Sequence, residues 1–227
     1  MTEQLHKFNV CQYSIEKLKT FKPRCGFVLI DDREFAEMLD YFKQFPIYKD
    51  IIPIMTDEQS NYWCVYISGA MKGMVCHLSH DEISLEPRFK NISNLISAVE
   101  NNAEAHNFYD WEEWENNVFD FPATKDLTEF TERKQIIDQL SLELKTETDE
   151  QRIQQLAFSI MALTSIDDIE TNIYPFLDDE EMYIQERAIE MLGFHKYKLA
   201  KEKLIELETT AMPNGRNAAK IALKNIV

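Results

Sequence analysis

The spacing of hydrophobic residues changes partway along this 227-residue chain, and that change limits the folds that it can adopt. From Gly26 to about Asn102, short apolar runs that suit strands are mixed with helical spacings of three and four residues. From about residue 125 onward no convincing strand pattern remains, and the apolar residues keep a helical spacing. The chain is therefore predicted to contain an α+β N-terminal domain followed by an all-α domain.

Several elements of the first domain can be placed individually. The apolar run 27–30 predicts a buried strand, and Asp31 and Asp32 supply capping carboxylates for the amphipathic helix that follows. The run 51–55 predicts a second strand, which Pro53 would place at a sheet edge or at a strand start because proline has no N–H to donate.

A hairpin and a helix follow. Residues 62–68 are rich in aromatic and β-branched residues, residues 68–73 supply a turn bounded by glycines, and residues 74–78 return as a second strand. A helix then begins near Asn91 or Ser93 and places its apolar residues on one stripe.

Parts of this region resemble a known family. Residues 54–66 begin in the strand that contains Pro53 and continue through a polar turn with Asp57 and Asn61 into an aromatic strand; residues 72–78 place a glycine before the next strand. These features, together with the closing segment 85–92, resemble the SUKH superfamily of the Smi/Knr type, over about residues 26–102. The resemblance implies an α+β domain with a mixed or antiparallel sheet flanked by helices. It also implies a bacterial immunity protein that binds and neutralises a toxin domain, or more broadly a non-catalytic interaction module.

The helical region contains an internal offset of 31 residues. A small residue recurs at this offset and is followed four positions later by a large apolar one, in the pairs Ala157/Met161, Ala188/Leu192 and Ala219/Leu223. Close stacking of helices needs such pairs, because the small side chain lets a neighbouring backbone approach. The pattern resembles HEAT repeats, which are helical hairpins stacked into a solenoid. A plain helical bundle would show the same apolar spacing and remains the alternative.

We therefore predict three segments. Residues 1–106 form the SUKH-like α+β domain, residues 107–124 form an acidic aromatic junction, and residues 125–227 form the HEAT-like helical repeats.

Charge narrows the range of partners. The formal charge is −16, and residues 101–190 contain twenty-three acids and only six bases. A surface of that sign disfavours broad contact with nucleic-acid phosphates or an anionic membrane, and it suits a basic protein partner. The chain has no run of eighteen apolar residues, no N-terminal signal pattern and no C-x-x-C pair among its four cysteines. We expect a cytoplasmic protein with reduced thiols.

No catalytic residue, cofactor or metal site is predicted. The sequence has no G-x-S-x-G elbow and no glycine-rich phosphate loop. Cys76, His77 and His80 invite a metal site, but the two histidines would point to opposite faces of a strand. Cys76 and His80 would lie about 13 Å apart in an extended chain, which is too far to share one zinc ion.

Two acidic segments are the candidate partner-binding residues. The first lies in the junction and comprises Tyr109, Asp110, Trp111, Glu112, Glu113, Trp114 and Glu115. Its aromatic rings could anchor a basic partner, or they could pack onto the domains while the acids face water. The second lies between predicted helices and comprises Asp178, Asp179, Glu180 and Glu181. It could attract a basic protein, or it could be a solvated loop in which Asp178 or Asp179 caps a helix.

The resulting hypothesis is a non-enzymatic protein-binding module, an immunity protein that neutralises a bacterial polymorphic toxin, for example a basic nuclease, by direct binding. The alternative is a scaffold or regulatory protein whose helical repeats bind a cellular protein. An enzyme is the third possibility.

Overall fold

A computed structural model describes residues 1–81, 84–102, 104–105, 109–111, 118–122 and 132–226 of the chain. The chain divides into two compact units, Met1–Phe121 and Pro122–Val227. The first unit combines a sheet with helices, and the described part of the second unit is helical. The predicted order of an α+β region followed by an all-α region is confirmed at this level.

The first unit contains four helices and five strands among its described residues. The helices are α1 (Thr2–Lys7), α2 (Gln12–Thr20), α3 (Asp32–Phe42) and α4 (Ile92–Asn101). The strands are β1 (Val28–Leu29), β2 (Ile51–Thr56), β3 (Tyr62–Tyr66), β4 (Val75–Leu78) and β5 (Pro87–Phe89). These strands form one antiparallel sheet in the order β1-β2-β3-β4-β5, so each strand pairs with its neighbour in the sequence.

The predicted hairpin is present as β3 and β4. Tyr62 pairs with Leu78 at one end of the hairpin, and the turn at the other end contains Gly69 and Gly73, both at positive φ. A side chain is disfavoured in that backbone region, which explains why glycine bounds the turn. Local pattern and turn chemistry were therefore enough to locate this element.

The expectation for Pro53 was wrong about the edge of the sheet. Strand β2 lies between β1 and β3, although its register shifts just after Pro53. The backbone N–H of Tyr66 donates to the carbonyl of Met74, on the β4 side. Backbone groups of successive residues point to opposite sides of a strand, so Cys64, two residues before Tyr66, also directs its N–H and C=O toward β4. Pro53 lies opposite Cys64, so its nitrogen points away from β3 and toward the β1 side of the sheet. The two-residue β1 pairs only with Met55 and Thr56 and does not reach Pro53. The proline thus removes no bond of the sheet.

Helix caps agree with the sequence in this unit. The Asp31 carboxylate accepts a hydrogen bond of 2.8 Å from the backbone N–H of Glu34 and caps α3, as predicted. Asn91 caps α4 through the backbone N–H of Asn94. The apolar stripe of α4 is buried in the same core as the inward face of β3. Helices α1 and α2 were not predicted.

Residues that follow α4 return to this core. Trp111 is 2% exposed, and its ring stacks on Phe27 with a centroid distance of 4.8 Å. Phe121 is fully buried, and its backbone N–H bonds to the carbonyl of Arg88 in β5. The Asp120 carboxylate accepts bonds of 2.7 Å from the Lys90 N–H and from the side chain of Asn94. The segment up to residue 121 therefore belongs to the first unit.

The second unit has six helices among its described residues. They are α5 (Arg133–Leu144), α6 (Glu150–Leu163), α7 (Ile169–Asn172), α8 (Met182–Phe194), α9 (Lys201–Thr210) and α10 (Pro213–Ile226). Short 3-10 turns at Ile166–Asp168, Tyr174–Phe176 and Lys198–Ala200 flank α7 and precede α9. The three alanines of the 31-residue offset lie on α6, α8 and α10, and all three are buried.

Helices α8 and α10 approach each other closely. A Cβ atom added to Gly193 of α8 would lie only 2.9 Å from the Cα and Cβ atoms of Ala222 in α10. Real Cβ atoms essentially never come that close to another atom, so the crossing depends on a residue without a side chain.

Candidate protein-binding surface

The described part of the junction packs inward at its tryptophan. Trp111 lies in the core of the first unit and presents no exposed ring to a partner. Asp110 is exposed, and Tyr109 begins the short 3-10 helix Tyr109–Trp111. The other predicted residues of this segment lie outside the described residues; they are Glu112, Glu113, Trp114 and Glu115.

The predicted acidic loop 178–181 has mostly local partners. The Glu181 carboxylate accepts bonds of 2.9 Å from the N–H groups of Tyr183 and Ile184 and caps α8. The expectation that Asp178 or Asp179 caps this helix is therefore wrong, since both lie too early in the chain to reach its first turn. Asp179 instead accepts a bond from the Glu181 N–H.

Two of the four acids remain exposed. Asp178 forms an ion pair of 3.3 Å with Lys203 of α9. Glu180 is exposed and has neither a hydrogen bond nor an ion pair with any residue in the described ranges. These two carboxylates are the part of the predicted loop that a basic partner could reach.

Asp178 is linked through Lys203 to two tyrosines that the sequence did not reveal. The Tyr197 hydroxyl donates a bond of 3.1 Å to the Glu170 carboxylate, and the Tyr197 ring packs edge-on against Tyr174 with a centroid distance of 6.5 Å. Tyr174 lies close enough to both Glu170 and Lys203 to feel their charges. We call this group the tyrosine–acid surface, and its members are Glu170, Tyr174, Asp178, Tyr197 and Lys203.

Charges within the tyrosine–acid surface set its protonation. Partial burial and the Glu170 carboxylate raise the pKa of both Tyr174 and Tyr197, so both hydroxyls keep their protons at neutral pH. Partial burial opposes the charged form of Lys203, but the Glu206 and Asp178 carboxylates outweigh it and raise the pKa of the ammonium group. The surface therefore presents two protonated tyrosine hydroxyls and a charged ammonium group at neutral pH.

The composition of this surface suits protein recognition. Tyr174 and Tyr197 are half-buried, which holds each ring in place while leaving part of it open. Leu199, two residues after Tyr197, is 77% exposed. Tyrosine is enriched at the energetic centres of interfaces because a large ring and a polar tip share one rigid side chain. The sequence gives no signal for this pair because Tyr174 follows α7, Tyr197 follows α8, and no repeat offset relates them.

The first unit also carries an exposed aromatic patch. The Tyr41 ring lies 5.0 Å from Phe45 and 6.3 Å from Tyr48, and Phe42 lies beneath them, 4.9 Å from Tyr48. Tyr41 and Phe45 are 45% and 39% exposed. This patch is a second apolar surface to which a protein can bind.

The residues considered for a metal site occupy separate environments. Burial and the nearby Arg88 cation lower the pKa of His77 to about 3, so it is neutral at physiological pH. The backbone and ring nitrogens of His80 both contact the Asn61 side chain. Cys76 lies opposite Cys64 in the sheet, and both thiols are buried. Within the described ranges, no three Cys, His, Asp or Glu side chains are grouped as a metal would require.

Comparison with protein-family models, with curated proteins and with solved structures found no match for the chain. None of the helices in the described residues is both long and apolar enough to span a bilayer.

Proposed function

We propose that this chain is a non-enzymatic protein-binding module that recognises a basic protein through the tyrosine–acid surface of its second unit. The observation that carries the proposal is the edge-on contact between Tyr174 and Tyr197, together with the hydrogen bond from Tyr197 to Glu170 and the nearby ion pair of Lys203 with the exposed Asp178. Partly exposed tyrosines provide contact area at little conformational cost, and the carboxylates pair with Arg or Lys.

Within that class, we propose an immunity protein that neutralises a bacterial toxin domain in the cytoplasm. The resemblance of residues 26–102 to the SUKH superfamily motivates this choice, and an antiparallel sheet with helices is the architecture that the resemblance implies. The net charge of −16 favours fast encounter with a basic domain such as a nuclease. The four cysteines are free, which suits a reducing compartment.

We also propose that the second unit is built from HEAT-like repeats. Supporting this, the same 31-residue offset relates the buried residues Ala157, Ala188 and Ala219 of α6, α8 and α10. It also relates the buried Ile173, just after α7, to the buried Leu204 of α9. Stacked hairpins of this kind offer extended surfaces to protein partners.

A second candidate function is a scaffold whose helical unit binds a cellular protein. One observation favours it: the tyrosine–acid surface lies on the helical unit rather than on the SUKH-like unit. On this hypothesis a toxin is not the partner, and the exposed aromatic patch of the first unit has no role in binding.

The test is co-expression of the chain with the product of an adjacent toxin-like gene. The immunity proposal expects a complex that co-purifies and restored growth of the host. The variant Tyr174→Ala/Tyr197→Ala should weaken the complex at least about tenfold, which corresponds to roughly 1.4 kcal/mol. The control Tyr13→Ala/Tyr183→Ala removes two exposed tyrosines elsewhere and should bind normally.

Absence of both complex and protection would refute the immunity role. A complex that the Tyr174→Ala/Tyr197→Ala variant leaves intact would refute the tyrosine–acid surface as its site. In that case Tyr41→Ala/Phe45→Ala would test the aromatic patch of the first unit. Capture of a cellular protein without a toxin, lost in Tyr174→Ala/Tyr197→Ala, would favour the scaffold.

A further inference from the structure

Helix α10 differs in charge from the rest of this acidic chain. Residues 213–226 contain three bases and no acid. The bases Arg216, Lys220 and Lys224 are spaced four residues apart and are all exposed, so they form a row along the helix that we call the cation stripe. Arg216 donates a bond of 2.7 Å from Nε to the Ala211 carbonyl, whereas neither lysine forms an ion pair with a residue in the described ranges.

The positions of the stripe have counterparts in α8. A shift of 31 residues relates Arg216, Lys220 and Lys224 to Gln185, Ile189 and Gly193. Those α8 residues contact α10 or the residue just before it. The Gln185 side chain accepts a bond of 2.7 Å from the Met212 N–H, and Gly193 lies against Ala222.

A further shift of 31 residues leads to α6, and the same role recurs. Phe158 and Ala162 are both 3% exposed, and the Arg187 guanidinium of α8 lies over the Phe158 ring at 4.8 Å. The series is therefore Phe158, Ile189 and Lys220 at one position. At the positions where α6 and α8 carry apolar residues that contact a neighbouring helix, α10 carries cations.

We propose that the cation stripe of α10 docks an acidic helix of a protein partner. An apolar helix placed there would bury unpaired ammonium groups, which is strongly unfavourable. Carboxylates spaced four residues apart on a helix rise by about 6 Å per step, which matches the spacing of the stripe. Ile221, on the adjoining face and 50% exposed, adds apolar contact at the edge of the stripe.

Charge complementarity favours a polypeptide over a nucleic acid. Residues 122–227 carry twenty acids and thirteen bases, so the field around the second unit repels a long phosphate polymer. A helix with a few carboxylates meets less of that repulsion and can still pair with all three cations. This surface has the opposite sign to the tyrosine–acid surface and does not depend on the function proposed above.

The test measures binding of two synthetic helical peptides to the full chain by fluorescence anisotropy. One peptide carries three glutamates spaced four residues apart on one face; the other has the same composition with the glutamates distributed around the helix. The expected result is at least about tenfold tighter binding of the first peptide to the wild-type chain, and loss of that preference in Lys220→Glu/Lys224→Glu. The control Lys198→Glu/Lys201→Glu makes the same change of charge at exposed positions of the second unit and should keep the preference.

Three results would overturn the proposal. Equal binding of both peptides would mean that the stripe recognises charge without geometry. An equal loss in the Lys198→Glu/Lys201→Glu control would mean that net charge, and not the stripe, sets the affinity. The third result is a different ligand for the stripe. If the chain binds duplex DNA, or associates with itself in sedimentation velocity, and only Lys220→Glu/Lys224→Glu abolishes this, the surface belongs to a nucleic acid or to a second copy of the chain. Circular dichroism of each variant confirms that it is folded.

Discussion

Substitution of Gly193 by alanine tests the close approach of α8 and α10. The added methyl group would lie 2.9 Å from the Cα and Cβ atoms of Ala222. Because one of those atoms is backbone, the clash can be relieved only by moving a helix. Overpacking of this kind costs about 1–3 kcal/mol. Alanine is favoured over glycine inside a helix by up to about 1 kcal/mol, and less at a position next to the helix end.

The clash should exceed the gain in helix propensity, so we expect Gly193→Ala to reduce the free energy of unfolding by about 1–2 kcal/mol. For a unit of roughly a hundred residues, this corresponds to a fall in Tm of about 4–15 °C. Far-UV circular dichroism during thermal and urea unfolding provides the measurement.

Gly215 of α10 supplies a matched control. A Cβ added there would lie 3.0 Å from Oε1 of Gln185, 3.1 Å from Cδ1 of Ile189 and 3.1 Å from Cβ of Ala211, so these side chains need to move by only a few tenths of an ångström. Gly215→Ala should therefore change the stability by less than about 1 kcal/mol. A Gly193→Ala chain as stable as the wild type, or more stable, would refute the close packing of α8 on α10.

Three further predictions concern buried and paired groups. The pKa of His77 is about 3 in the folded chain, so just below about pH 6.5 only the unfolded chain binds a proton at this residue. The free energy of unfolding, measured in urea, should therefore fall between pH 7 and pH 5, and it should fall less in the His77→Gln variant. Partial burial alone would raise the pKa of Asp168, but Ser165, Lys134 and Arg133 outweigh it and lower that pKa. The carboxylate therefore stabilises the fold above about pH 4, and this stabilisation is lost as the pH falls through the pKa of the folded chain. Asp168→Asn should reduce the free energy of unfolding by about 1–2 kcal/mol at pH 7, and the variant and the wild type should become equally stable in acid. Native thiol labelling should modify the two exposed cysteines, and labelling of Cys64 or Cys76 before unfolding would contradict their burial.

Elements held by local chemistry could be predicted from the sequence. The β3–β4 hairpin followed from its aromatic strand and glycine-bounded turn, and the α3 cap followed from Asp31. Helices α1 and α2 were missed because they are short and carry few apolar residues, so tertiary packing decides them. Ile15 and Leu18 of α2, for example, are fully buried.

Prediction failed where the outcome depends on partners distant in sequence. Pro53 is compatible with an inner strand only because β1 is two residues long, which no local pattern reveals. Glu181 caps α8 because that helix begins at Met182, two or three residues later than a cap at Asp179 or Asp178 would give. The tyrosine–acid surface depends on how the segment after α7 packs against the segment after α8, so Tyr174 and Tyr197 gave no signal in the sequence.

The burial of Trp111 and Phe121 affects how this chain folds during synthesis. Trp111 belongs to the core of the first unit and Phe121 is fully buried, although both follow α4 in the sequence. A ribosome must therefore extrude the chain beyond residue 121 before the sheet can bury its inward face fully. A fragment that stops at residue 106 would lack both rings and leave Phe27 and Phe89 exposed to water. Such a fragment would be prone to aggregate and to be recognised by chaperones.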